Sequence, residues 1–186
     1  MKKLCILILL IPLFAKSQIT LNPTGATRTM IPGITLLNNS LNETSLLTVP
    51  DTIKANTLIG KPYKFMLLCK ITTPAVSIPT LTIRIKFGSQ VLTLFNGISL
   101  LGSQTTQPFI VEGYIFPITS TTQLVWARIN QTPGTALSLT SANTSLTADW
   151  TGSLTSQNLF NITAQWGGFS LGTAVLQSNV FYRYDF

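Results

Sequence analysis

From Leu81 to Phe87 the chain alternates: Leu81, Ile83, Ile85 and Phe87 fall on one side, Thr82, Arg84 and Lys86 on the other. A period of two is the signature of a strand with one buried face, and no helix satisfies it. Gly88-Ser89 follows as a turn signal, and QVLTLF (90–95) resumes the apolar pattern, so this stretch predicts a β-hairpin. Upstream, KPYKFMLLCKITT (61–73) reads as a longer strand with two different faces. Tyr63, Phe65, Leu67, Cys69 and Ile71 form the apolar one; Lys64, Met66, Leu68 and Lys70 form the mixed one. Further strands are expected at 108–118, 122–130, 145–150, 158–166 and 174–186, most of them bounded by Gly, Pro, Ser or Asn. No pattern of helical period stands out beyond residue 17. About eight to ten short strands without helices imply a two-sheet sandwich or a barrel.

The two ends read differently. MKKLCILILLIPLFAKS (1–17) has two lysines, an apolar run over 4–15 and small residues before Gln18. That order is the one expected of a secretory signal peptide, with a short membrane anchor as the alternative. The apolar run is shorter than the ~20 residues that a spanning helix needs. Residues 18–44 are rich in Asn, Thr, Pro and Gly and are expected to form an irregular arm with one strand at most. Residues 45–186 are expected to form a single β-sandwich domain. At the far end, Val180, Tyr182, Tyr184 and Phe186 alternate with Phe181, Arg183 and Asp185. Core or interface packing is the expected role of these aromatics, with a ligand-stacking strip as the alternative.

Composition narrows the chemistry. The 186 residues are 45% hydrophobic and only 9% charged, which leaves few groups for acid–base work. The formal charge is +7, but loss of Lys2, Lys3 and Lys16 with a leader leaves nine Lys/Arg against five Asp/Glu, or +4. Lys54, Lys61, Lys64, Lys70, Arg84 and Lys86 are strung over thirty-odd positions and not clustered with aromatics. Solvated strand faces are therefore expected, with no specific nucleic-acid partner. The chain has no His, the commonest general base and metal ligand. Beyond the leader Cys69 is the one cysteine, in register with apolar neighbours and expected to be buried. No catalytic, cofactor-binding or metal-binding constellation is found, and the expectation is a protein without enzymatic activity. The carboxylates outside the leader are Glu43, Asp51, Glu112, Asp149 and Asp185; a hydrolase reading would have to pair two of them, Glu112 and Asp149 being the pair to test. Asp51-Thr52-Ile53 resembles the short O-glycosylation signal of exported Bacteroidetes proteins.

Four runs carry a wider resemblance: IKANTLIGKPYKFMLLCKI, IPTLTIRIKFGSQVL, QPFIVEGYIF and LFNITAQWG, within residues 53–167. In this order they resemble β-sandwich structural proteins of bacteriophage virions, of the head-spike, fibre or tail-component type. The resemblance implies a jelly-roll-like antiparallel sandwich, a homo-oligomer with a trimer favoured, and other virion proteins as partners. It supplies no active-site residues. The leader is out of keeping with a virion protein assembled in the cytoplasm, and Lys16-Ser17 before Gln18 resembles leaders of a Flavobacterium-type host. Either the phage contains a membrane, which residues 4–15 would contact, or the gene is bacterial. In the second case the product is a secreted or cell-surface sandwich that binds glycan or matrix, with Trp126, Trp150 and Trp166 as stacking candidates. A host-surface glycan is also a partner to consider for a virion protein.

Overall fold

A computed structural model describes residues 28–29, 34–37, 41–76, 79–131, 143–168 and 173–185. The predicted leader, residues 1–17, lies outside them. Among the described residues, twelve strands form two antiparallel sheets and no helix occurs. The eight long strands are β5 (Tyr63–Thr72), β6 (Leu81–Phe87), β7 (Gln90–Ile98), β8 (Gln107–Pro117), β9 (Thr122–Gln131), β10 (Asn143–Thr151), β11 (Asn158–Trp166) and β12 (Val175–Asp185). Each matches a stretch predicted from alternation. Four short strands precede them: β1 (Arg28–Thr29), β2 (Ile34–Leu37), β3 (Thr44–Ser45) and β4 (Asp51–Ile53). Where at most one strand was expected before residue 45, β1 and β2 both pair with β12. The arm gains its order from the open edge of β12, a template that local sequence does not reveal.

The seven-stranded sheet runs β1-β12-β5-β8-β9-β10, with β2 also on β12; the five-stranded sheet runs β3-β11-β6-β7, with β4 also on β11. Strands β8, β9 and β10 form a meander, and β6–β7 is the predicted hairpin. Elsewhere successive long strands cross from one sheet to the other, giving a jelly-roll-like sandwich. Gly88 turns the β6–β7 hairpin at φ +56°, a conformation that costs glycine little. Its N–H also donates to the Leu159 carbonyl at 2.9 Å, which ties the hairpin to β11.

The core lies between the sheets. The β5 face predicted to be apolar, Tyr63, Phe65, Leu67, Cys69 and Ile71, is fully buried, as are Leu81, Ile83, Ile85 and Phe87 of β6. Phe160 of β11 spans the gap, with its ring 5.0 Å from Tyr63, 4.8 Å from Phe65 and 5.9 Å from Phe181. Phe87 stacks on Trp150 at 6.2 Å and joins β6 to β10. A polar staple closes one end: the Tyr63 hydroxyl donates to Asp51 at 2.8 Å, and Arg183 pairs with the same carboxylate at 3.0 Å.

Strand β12 carries a bulge. Its pairing with β5 shifts between Ser178 and Val180, which inserts one residue on the β12 side. Before the bulge, Leu176 and Ser178 point into the core; after it, Phe181 does. Tyr182 and Tyr184 are thereby delivered to the outer face.

Candidate functional site: an aromatic face on the larger sheet

The outer faces of the two sheets differ. On the five-stranded sheet, Arg84 and Lys86 point outward as expected, but Glu43 has been laid over them. Its carboxylate meets Lys86 at 2.9 Å and Arg84 at 3.6 Å, and it accepts a short hydrogen bond from the Thr163 hydroxyl. Arg84 donates to Gln165 at 2.9 Å, and Gln165 donates to the Leu41 carbonyl at 2.9 Å. Residues 41–45 thus strap this face. Burial pushes the Glu43 carboxyl up; hydrogen bonds from Thr163 and Lys86 and the charges of Lys86 and Arg84 outweigh it, leaving a pKa below the ordinary value.

The seven-stranded sheet presents rings instead. Register places Tyr184 beside Lys64, Lys64 beside Tyr114, Tyr114 beside Trp126 and Trp126 beside Thr147, one straight row across five strands. Tyr114 and Trp126 rings stand 5.9 Å apart, and Tyr114 stacks on Phe116 at 5.3 Å with the planes inclined by only 14°. On the other flank Tyr182 stacks on Tyr184 at 6.5 Å. Toward the β8–β9 turn the face ends in Phe116, Ile118 and Leu124, all exposed, with Ile118 at 66%. Soluble domains seldom leave so contiguous an apolar strip uncovered unless it contacts something.

Cations are set among the rings. The Lys64 ammonium lies 5.4 Å from the centre of the Tyr114 ring and 5.1 Å from that of Tyr184. The Arg128 guanidinium lies 5.4 Å from the Trp126 ring and is also paired with Glu112 at 2.7 Å. Each cation–π contact contributes ~0.5–1 kcal/mol at such partly exposed sites. Both charges are therefore held in place and do not sweep freely over the surface. Fixed rings with cations at defined positions can stack a ligand with flat apolar faces and orient its polar groups.

Of the three proposed stacking tryptophans, only Trp126 is on this face and half-buried. Trp150 and Trp166 are 3% and 1% exposed and belong to the core. Their strand parity explains this. Trp150 shares a face with Ala148, opposite Val125 and Gln123, and Trp166 lies opposite Leu81. Tyr114, Phe116 and Lys64 were not singled out as binding residues, and Tyr184 entered only through the alternative of a ligand-stacking strip at the end of the chain. The signal was present in parity: Phe109, Val111, Gly113 and Ile115 fill the inner face of β8, so Tyr114 and Phe116 must face out.

The other candidate residues are dispersed. Glu112 and Asp149 are two strands and four residues apart, so their backbones are separated by roughly 15 Å. Paired glycosidase carboxyls stand about 5–9.5 Å apart, and the Glu112 carboxylate is turned to Arg128. The six cations from Lys54 to Lys86 divide: Lys64 and Lys70 lie on the larger sheet, Arg84 and Lys86 on the smaller, Lys54 and Lys61 in the exposed segment between β4 and β5. They form no shared basic patch. Cys69 is buried, and burial pushes its thiol far up from the ordinary value. Within Asp51-Thr52-Ile53 the Asp51 carboxylate is engaged by Tyr63 and Arg183, and Thr52 is exposed.

No protein-family profile and no curated protein sequence matches this chain. Among solved structures, the lectin UEA-II complexed with galactose is similar in trace, with a TM-score of 0.43 and 7% identity over 87% of this chain and 86% of the lectin. The CBM2 module of the evolved Dit protein of Lactobacillus casei BL23 phage J-1 gives 0.36 and 9% identity, over 87% of this chain and 98% of the module. Scores of this size carry no functional argument. The strand pairing itself establishes the architecture: this chain is an all-β, two-sheet antiparallel sandwich.

Proposed function

We propose that this chain is a non-enzymatic, surface-displayed sandwich that works by contact, and that the outer face of its seven-stranded sheet binds glycan. The row Tyr184, Lys64, Tyr114, Trp126 carries this reading. Sugar rings present C–H faces that stack on aromatic side chains, and a strip of rings on a flat sheet can follow a chain of sugars. The strap on the opposite sheet supports the same assignment, because its polar groups are already spent on one another. Display on a phage particle is the setting favoured by the strand-order resemblance across residues 53–167, with a trimer as the assembly; a secreted or cell-surface bacterial protein is the alternative, favoured by the leader.

A glycan array probed with the purified chain tests the binding reading. Trp126→Ala and Tyr114→Ala are each expected to weaken the best hit roughly tenfold, since a lost ring contact of ~1.5 kcal/mol corresponds to about that factor. An array with no hits, or hits indifferent to both substitutions, overturns it. Immunogold labelling of purified virions with an antibody to residues 18–186 separates the two settings: labelled particles support the phage protein, and unlabelled ones exclude it.

A further inference from the structure

The cations on this molecule are not equivalent. Among the described residues, five are half-buried: Lys64, Arg84, Lys86, Arg128 and Arg183. Arg84 and Lys86 share Glu43, Arg128 has Glu112, and Arg183 has Asp51. Lys64 alone of these has no carboxylate partner; its ammonium is framed by the rings of Tyr114 and Tyr184. An ammonium set between two rings gives up part of its hydration, and the ring faces replace only part of that loss. An anion arriving from outside would complete the set. The charge is also central: Lys64 stands one strand from Tyr114 on one side and one strand from Tyr184 on the other, about 5 Å each way.

Resting on the glycan reading above, we infer that the ligand is an acidic glycan, whose sugar ring stacks on Tyr114 and Trp126 while its carboxylate or sulfate group pairs with Lys64. The position fits. A substituent on a ring stacked over Tyr114 need reach only one strand spacing to meet the ammonium. Stacking and charge pairing would then come from neighbouring positions of one row, and the fixed ammonium would select the charged sugar over its neutral counterpart. Glu112, one row away, is neutralised by Arg128 and does not repel the incoming anion. Asp149 stands in the row of Phe116 and Leu124, on the far side of Trp126 from Lys64, and sets an acidic limit to the site there.

Titration calorimetry with three oligosaccharides tests this: an oligogalacturonate, its fully methyl-esterified form and a sulfated galactan of equal length. The unmodified chain is expected to bind at least one acidic oligomer roughly tenfold or more tighter than the neutral ester, as for a charge-assisted contact of ~1.5–3 kcal/mol. That preference should shrink as salt rises from 0.05 to 0.5 M. Lys64→Met, which keeps the aliphatic stem, should bring the acidic-to-neutral affinity ratio close to one. Lys64→Arg should retain a ratio well above one, and Lys70→Met, on the same face but off the row, should leave it unchanged. The carboxylate and sulfate arms tell which anion is preferred. Equal affinity for acidic and neutral oligomers overturns the inference and leaves the glycan reading standing. An acidic preference that survives Lys64→Met overturns the assignment to Lys64. Failure of all three to bind, with hits on the array confined to neutral glycans, also overturns it; failure here and on the array removes the underlying reading as well.

Discussion

A methyl group added at position 113 would have nowhere to go. A Cβ built on Gly113 would lie 2.6 Å from the Phe65 ring and 2.9 Å from the Ala127 Cα, and would press on the Trp126 carbonyl. Two of these neighbours are backbone, which cannot swing aside. Gly113→Ala should therefore destabilise the fold by ~1–3 kcal/mol, the usual range for overpacking, read as a lower urea midpoint with an unchanged slope. The same glycine lets β8 and β9 pack closely beneath Tyr114 and Trp126. Its importance was not legible in the sequence, where Glu112-Gly113 resembles an ordinary pause in a strand. Only pairing shows that residue 113 faces Phe65 and lies opposite Ala127. Cys69 is the opposite case: its register with Tyr63, Phe65, Leu67 and Ile71 was enough to place it in the core.

At the scale of elements, the long strands were readable because each has one face that must be dry and one that need not be, and alternation records that difference directly. The strap across the smaller sheet was not readable. Glu43 is separated from Lys86 and Thr163 by long stretches of chain, and nothing local announces that they meet. Its contribution should depend on pH. Because the folded pKa of Glu43 is below the ordinary value of 4.5, the stabilisation is fully present above that value and is lost as pH falls through the folded one. Glu43→Gln should lower the melting temperature at pH 7 by an amount equivalent to ~0.5–1 kcal/mol, typical of partly exposed ion pairs. Melts repeated at pH 3 should show the two proteins converging. A gap that stays constant from pH 7 to pH 3 would show that the carboxylate charge is not what secures the strap. The binding face falls between these cases. Parity exposed Tyr114 and Phe116 in β8, but the row that unites them with Lys64 and Tyr184 depends on strand order, which no single segment encodes.

Taken as a whole, the molecule is held by rings that belong to both sheets. Phe160 touches Tyr63, Phe65 and Phe181 across the interior, so its removal should loosen the two layers together. Phe160→Ala is expected to cost ~3–5 kcal/mol. Far-ultraviolet circular dichroism and tryptophan fluorescence should still report one coincident transition; separate midpoints would mean that the sheets unfold independently. The additional residue between Ser178 and Val180 has a consequence of its own. It acts as a phase shift in the last strand, since pleating reverses which way every later side chain points. If Asn179 instead paired regularly with β5, inside and outside would be exchanged from there onward, driving Tyr182 and Tyr184 into the hydrophobic interior and turning Phe181 out to water; deleting Asn179 should leave their facing as it is, because Val180 would then follow Ser178 in phase. One flank of the aromatic surface thus faces outward because a single amino acid is left out of the pairing.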